Sequence, residues 1–238
     1  MLAADWRTLW QMLRGQAQGG SQAGRLQAFY GPQAAHYDRF RERLLHGRAE
    51  LIAKLDIGGG QHVVELGAGT GRNVEYYAEH AANLASLTLV DLCPALLHQA
   101  YQRAAAWPRC AVVEADASVY RPTHAADRVY LSYALSMIPQ WRRALDNALA
   151  MLAPEGLLGV VDFYVSAAQP PAGLVRHGAW TRRWWPWWFA HDGVQVSSTA
   201  LAVLRERCAT VYLREGLASV PYLPGLRVPY FVFVGRAR

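Results

Sequence analysis

The chain has 238 residues, enough for one elaborated α/β domain or two small ones. With 53% hydrophobic and 18% charged residues it can bury a sizeable core, which excludes an intrinsically disordered protein. The net charge of +6 invites an anionic partner, but Lys54 is the only lysine among 24 basic residues, and such an arginine skew often reflects a GC-rich genome. Trp6, Leu9, Trp10 and Leu13 share one face at helical spacing and predict a helix over 1–14. Residues 15–24, rich in Gly, Gln and Ser, read as a linker or flexible turn. Helical spacing resumes over 33–55 and breaks near Gly47. From there short apolar runs alternate with helical stretches. Strands are predicted at 62–66, 86–90, 110–115, 127–132 and 157–164, with helices at 72–82, 94–106 and 140–152, the pattern of βαβ units on a parallel sheet. Residues 166–198 are rich in Pro, Gly and Trp and have no clear period. A helix over 199–208, capped by Ser197 or Ser198, precedes strands at 209–213 and 227–235. Their connection is too short for a crossover, so they should pair antiparallel.

No apolar run approaches the ~20 residues needed to cross a bilayer, and the longest, 157–165, is broken by Asp162. Asp5 and the lack of a small-residue cleavage site make the N-terminus a poor signal peptide. Cys93, Cys110 and Cys208 lie far apart without a CxxC pair, which argues against a disulfide framework or a metal site. A reducing, cytoplasmic compartment is the expectation.

The chemistry concentrates where strand 62–66 runs into Gly67-Ala68-Gly69-Thr70-Gly71 ahead of a helix. Glycines there let the backbone turn tightly and approach a ligand that a Cβ would exclude. Asp91 ends the next strand, where a carboxylate can accept hydrogen bonds from both hydroxyls of a ribose. A dinucleotide fingerprint would need glycine at position 72, which is Arg72, and no G-K-[ST] follows for a P-loop. Glu65 would repel a phosphate and could face a cation. A ribose carried on a cationic ligand fits this set.

The string Glu65-Leu66-Gly67-Ala68-Gly69-Thr70-Gly71, followed by Leu89-Val90-Asp91, resembles the first two motifs of class I S-adenosylmethionine-dependent methyltransferases. Glu114-Ala115-Asp116-Ala117, residues 126–132, and Pro154-Glu155-Gly156-Leu157 resemble the later motifs in order, with Glu155 replacing a glycine of the last. The resemblance implies a Rossmann-like, seven-stranded, mostly parallel α/β sheet with an antiparallel C-terminal hairpin. It implies S-adenosylmethionine as cofactor. Glu65 would lie near its methionine amino end, with Gly67, Ala68, Gly69 and Gly71 lining its approach and Asp91 holding the ribose. Leu92 would cover an adenine face, Asp116 and Ala117 would bind the adenine edge, and Ser132 and Tyr133 would face the methionine and the acceptor. Residues 57–238 would form this core, with an insertion at about 166–198, and 1–56 a helical cap over the active site.

No Asn/Asp-Pro-Pro-aromatic turn follows the fourth strand and the only adjacent Cys-Pro pair, Cys93-Pro94, is reversed, so nucleic acid is not the expected acceptor. No acidic cluster near that strand suggests a metal. Phe29-Tyr30-Gly31-Pro32-Gln33, Tyr37-Asp38-Arg39-Phe40-Arg41, Leu44-Leu45-His46-Gly47-Arg48, Ser136-Met137-Ile138-Pro139, Val161-Asp162-Phe163-Tyr164 and the stretch 220–230 resemble the bacterial betaine-lipid N-methyltransferases. Those enzymes methylate the amino group of diacylglyceryl-homoserine three times. The resemblance implies a lipid-head-group substrate and a location at the inner face of the membrane. Tyr133, Tyr37 and His46 are expected to position the amine or take its proton, with His177 a further candidate for the proton. Tyr30, Tyr164, Arg48 and Arg176 are expected to bind the substrate, the tyrosines as faces for a methylated cation and the arginines as carboxylate partners. Five tryptophans between Trp180 and Trp188 suit a lid or peripheral contact with the membrane. A soluble amine or hydroxyl acceptor, or a cofactor-binding regulatory protein without turnover, are the alternatives.

Overall fold

The computed structural model describes residue 24 and residues 44–191, 193–221 and 225–238. The predicted first helix, most of the linker, Tyr30 and Tyr37 lie outside these residues. Among the described residues the strands are β1 (His62–Leu66), β2 (Ser86–Asp91), β3 (Cys110–Glu114), β4 (Ala126–Ser132), β5 (Leu152–Phe163), β6 (Cys208–Ser219) and β7 (Arg227–Ala237). They form one sheet in the order β3-β2-β1-β4-β5-β7-β6. β1 to β5 pair parallel and β7 runs antiparallel between β5 and β6. The helices are α1 (Arg48–Leu55), α2 (Ala78–Ala81), α3 (Pro94–Ala104), α4 (Trp141–Ala150), α5 (Ala179–Ala190) and α6 (Thr199–Arg207).

Alternation along the strands divides the core in two. Val63, Tyr130, Val161 and Phe163 face α1 and α5, while Val64, Leu66, Leu131, Val160 and Tyr164 face α4 and α6. Gly159 of β5 leaves the space that α1 fills. A Cβ there would stand 2.8 Å from Leu55 Cδ1 and 3.0 Å from Leu51 Cδ1. The predicted break near Gly47 is present as a left-handed residue, φ 82°, directly before α1.

Three elements differ from expectation. Residues 72–77 wind as a 3₁₀ helix before the short α2, and its period of three turns Val74 and Tyr77 inward together. The aperiodic insertion contains a full helix, α5, despite Pro186 in its interior. Proline and aromatic residues are poor helix formers, but burial of Trp185 and Phe189, one turn apart, offsets that preference. β6 runs on to Ser219 because it pairs with β7 along its whole length, although its outer face is too polar to read as a strand. Among the described residues no helix is long and apolar enough to cross a membrane.

The Gly159→Val substitution should destabilise the fold by ~1–3 kcal/mol, because a branched side chain must push α1 off the sheet. A urea melt of the variant measures this.

Candidate cofactor and acceptor site

The turn after β1 is fastened to the end of β2. The N–H groups of Gly67 and Ala68 donate to the Val90 carbonyl at 2.8 and 3.0 Å, and Gly69 N–H donates to Asp91 Oδ2 at 2.7 Å. Asp91 Oδ1 accepts from Cys93 N–H at 2.8 Å. Gly67, Gly69 and Gly71 have φ of 73°, 57° and 70°, which L side chains rarely adopt. At Gly67 a Cβ would lie 2.3 Å from the Cβ of Ala134, the second residue after β4. Each carboxylate oxygen can accept more than one bond, so half-buried Asp91 holds the turn and keeps capacity for ribose hydroxyls. Leu92 beside it is half-buried.

Farther along the sheet, Asp116 Oδ1 accepts from Ser118 N–H at 2.7 Å, an Asx turn that sets the bend after β3. The carbonyl of buried Ala117 accepts from Asn147 Nδ2 of α4 at 2.8 Å. Ser132 ends β4 with 4% exposure, and its Oγ has no hydrogen-bond partner among the described residues. A buried hydroxyl left unpaired is costly, and it lies at the end of the sheet where the glycine turn and Asp91 also converge. These features fit S-adenosylmethionine. The glycines would admit it, Asp91 would hold its ribose, and Ser132 Oγ would gain a partner.

Glu65 is wholly buried. Its Oε1 accepts from Asn73 Nδ2 at 2.6 Å and its Oε2 from the Tyr130 hydroxyl at 2.9 Å, while Tyr77 OH lies 3.0 Å from Tyr130 OH. Burial pushes its carboxyl up to about 7, against the lowering pull of these donors and of Arg48, with Asp91 raising it further. Arg48 was expected to meet a substrate carboxylate. It is buried instead, 6% exposed, with Nε donating to the Leu45 carbonyl at 3.2 Å and Nη1 to Asn73 Oδ1 at 3.5 Å. Arg48 thus joins the Glu65 cluster.

Tyr133 follows β4 in a left-handed conformation, φ 53°, with its N–H bound to the Val161 carbonyl at 2.7 Å. Its hydroxyl donates to the His46 carbonyl at 2.6 Å, and its ring lies 4.6 Å from that of Phe163. The His46 side chain is exposed, 6.2 Å from the Tyr230 ring. The structure therefore brings Tyr133 and His46 together. It separates Tyr164 from them. One residue past Phe163, Tyr164 points to the opposite face of the sheet, donates to Glu215 and packs edge-on against Phe231. Arg176 is exposed on the same loop as His177. His177 Nδ1 accepts from Ser166 N–H at 2.9 Å, so the neutral ring carries its proton on Nε2 and has no free acceptor nitrogen.

The sequence reading missed Asn73 and Tyr130. The parallel register sets Glu65 level with Tyr130, a pairing that strand alignment alone could have revealed. It also missed the role of Asp162. This buried carboxylate accepts from Ser136 N–H at 2.8 Å and Ser136 Oγ at 2.6 Å, clasping the loop after β4 to β5. Burial raises its carboxyl to about 6. Among the described residues no three His, Cys, Asp or Glu side chains gather to hold a metal ion.

Two measurements test this geometry. Asp91→Ala frees two backbone donors and removes the ribose acceptor, so S-adenosylhomocysteine affinity by calorimetry should fall by ~1.5–3 kcal/mol. Glu65 keeps its proton to about 7 when folded and to its ordinary 4.5 when unfolded. The folded chain therefore binds the proton more tightly, and this contribution to stability is lost as pH rises from 4.5 to 7. Its slope is at most ~1.4 kcal/mol per pH unit. Glu65→Gln should flatten the fall of stability with pH over that window, read from urea melts.

Residues 63–156 match the family model described as a methyltransferase domain. The trans-aconitate 2-methyltransferase of Methylobacterium radiotolerans is 30% identical over 150 residues, 63% of this chain and 56% of that protein. An Enterobacter relative of the same name is 32% identical over 112 residues, 47% of this chain and 43% of its own. The chain thus spans about half the length of the curated relatives it matches. Among solved structures, the N-methyltransferase NodS from Bradyrhizobium japonicum, in complex with S-adenosylhomocysteine, superposes with a TM-score of 0.66 at 21% identity, covering 89% of this chain and 98% of its own. The 1,6-didemethyltoxoflavin N1-methyltransferase of Burkholderia thailandensis gives 0.60 at 20% identity, covering 93% and 92%. Residues 63–156 thus match a methyltransferase domain, and the chain shares the fold of these solved methyltransferases.

Proposed function

We propose that the chain transfers methyl groups from S-adenosylmethionine to the amino group of diacylglyceryl-homoserine, in three rounds, giving the betaine lipid diacylglyceryl-trimethylhomoserine. The observation that carries the amine reading is the aromatic run at the carboxyl ends of β4 and β5. Tyr133 meets Phe163 at 4.6 Å, and Phe163 stacks on Phe189 at 4.8 Å. An amine methylated once is cationic when protonated, and the trimethylated product is permanently so. Aromatic faces attract such a cation by ~0.5–2 kcal/mol each and require no N–H, which disappears with successive rounds. The lipid reading rests on the resemblance of the short sequence strings to the betaine-lipid enzymes.

When bound, the cofactor supplies an electrophilic methyl group. What remains for the chain is to align a neutral amine, exclude water and receive a proton. Tyr133 is the positioning residue. Its hydroxyl donates to the His46 carbonyl, and a hydroxyl oxygen can accept from an amine N–H as well. The exposed imidazole of His46 can take the amine's proton through water.

Similarity to the trans-aconitate 2-methyltransferases favours a second reading, methylation of a carboxylate on a small soluble acid. Arg48 would be its natural partner, but that guanidinium is already committed to Asn73 and Leu45.

Methyl-labelled S-adenosylmethionine with diacylglyceryl-homoserine in detergent, or with trans-aconitate, separates the readings. Label should enter the lipid as mono-, di- and trimethylated products, and Tyr133→Ala should lower kcat/KM by roughly tenfold to a hundredfold. Label in trans-aconitate alone would establish the second reading and end the first. Binding of S-adenosylhomocysteine without transfer to any acceptor would point to a protein that binds cofactor without turnover.

A further inference from the structure

Helix α5 carries two apolar faces, one buried in the core and the other largely exposed. Trp185 and Phe189 are buried against the sheet. Trp180, Arg183, Trp184 and Trp187 are spaced i, i+3, i+4 and i+7 and share the opposite face. Trp180 is 62% exposed and Trp187 57%. Trp184 lies between them, with ring centroids 4.8 Å from Trp180 and 5.1 Å from Trp187. The three indoles therefore lie in a row that is outward at Trp180 and Trp187, while half-buried Trp184 also packs against the core. The insertion's own charges are of one sign, while Glu215 of β6 accepts from Val175 N–H at 2.9 Å. Between Asp162 and Asp192 the sequence has Arg176, Arg182 and Arg183 and no acidic residue. None of these three arginines takes part in an ion pair among the described residues.

Tryptophan and arginine together on one exposed helix face match the chemistry of a lipid headgroup layer. An indole is apolar with a polar edge, and an arginine stem can lie along acyl chains while its guanidinium meets phosphate. A water-soluble partner protein would be expected to answer such a surface with acids. A bilayer answers it with anionic headgroups. We propose that this face of α5, with the loop before it, docks the chain on an anionic bilayer, with Trp180 and Trp187 in the headgroup region and Arg176 and Arg183 against lipid phosphates. The proposal rests on the lipid-substrate reading for its purpose and on α5 with Arg176 of the preceding loop for its geometry.

The test is sedimentation of the full chain with phosphatidylcholine vesicles, with and without phosphatidylglycerol. Wild type should pellet with the anionic vesicles, and added salt should release it. Arg176→Gln with Arg183→Gln should lower partitioning by roughly 30-fold. Trp180→Ser with Trp187→Ser should lower it by more than about tenfold. Each altered side chain is exposed, so both variants should keep the wild-type melting temperature and S-adenosylhomocysteine affinity; a variant that loses either is replaced by its single Trp187→Ser or Arg183→Gln counterpart. Wild type that stays in solution with the anionic vesicles overturns the docking, as does unaltered pelleting of the variants. A wild-type dimer that the tryptophan changes split into monomers, without vesicle binding, assigns the face to a second copy and overturns it too. The two proposals fail separately. Methylation of detergent-dispersed lipid without vesicle binding removes the docking alone, and vesicle binding without methylation of the lipid removes the substrate reading alone.

Discussion

The hydrogen bond from Gly69 N–H to Asp91 Oδ2 is the contact on which the cofactor end of the sheet depends. The carboxylate stands at the last residue of β2 and its other oxygen receives Cys93 N–H, so one side chain orders the turns after both β1 and β2. Two more N–H groups, of Gly67 and Ala68, converge on the preceding carbonyl of Val90. Three successive donors thus point from the turn into β2, which is possible only with backbone angles that glycine tolerates. The close approach of Gly67 to Ala134 then extends the constraint to the segment after β4. The glycine turn and the segment after β4 are consequently packed together, and a side chain at Gly67 would disturb both.

The loop after β4 is held from both faces of the sheet. On one face Tyr133 reaches the backbone of His46, and on the other Ser136 donates twice to Asp162. Beneath it, Glu65 is enclosed by Asn73 and Tyr130, with Arg48 behind Asn73. Two buried carboxylates so close to one loop would be destabilising without donors, and each has two or more. Desolvation still wins over those donors, which is why both carboxyls titrate above their ordinary range. A cation brought near Glu65 would oppose that effect, since attraction favours the ionised form. Arg48 already pulls Glu65 in that direction.

The central strands were legible because residue type and local conformation demand each other there: alternating Val, Leu and Tyr between turn residues, then glycines where φ is positive. The antiparallel hairpin was legible from connection length. The tryptophan helix was not, because its stability comes from burying Trp185 and Phe189 across the chain rather than from local preference. Tyr164 was placed at the acceptor site without counting strand parity, and a single residue's offset from Phe163 sends it to the α4 and α6 side. Arg48 was expected to pair with a substrate carboxylate. What buries it is Asn73, 25 residues away, a relation that no local pattern contains.

The aromatic chain of the interior connects the two proposals physically. From the outward indoles of α5 the helix turns inward to Trp185 and Phe189, whose rings lie 5.7 Å apart. Phe189 stacks on Phe163, Phe163 meets Tyr133, and Tyr133 is bound to His46. A force that shifts α5 would therefore be transmitted through close-packed rings to the residue proposed to orient the amine, because such packing yields little before it moves as a unit. On the docking proposal, contact with a bilayer would bear on the acceptor loop through this path without any covalent link. The same continuity constrains substitution. Phe189 belongs to the core and to the path at once, so its loss would disturb stability and acceptor geometry together, whereas Trp180 and Trp187 are exposed and separate docking from chemistry.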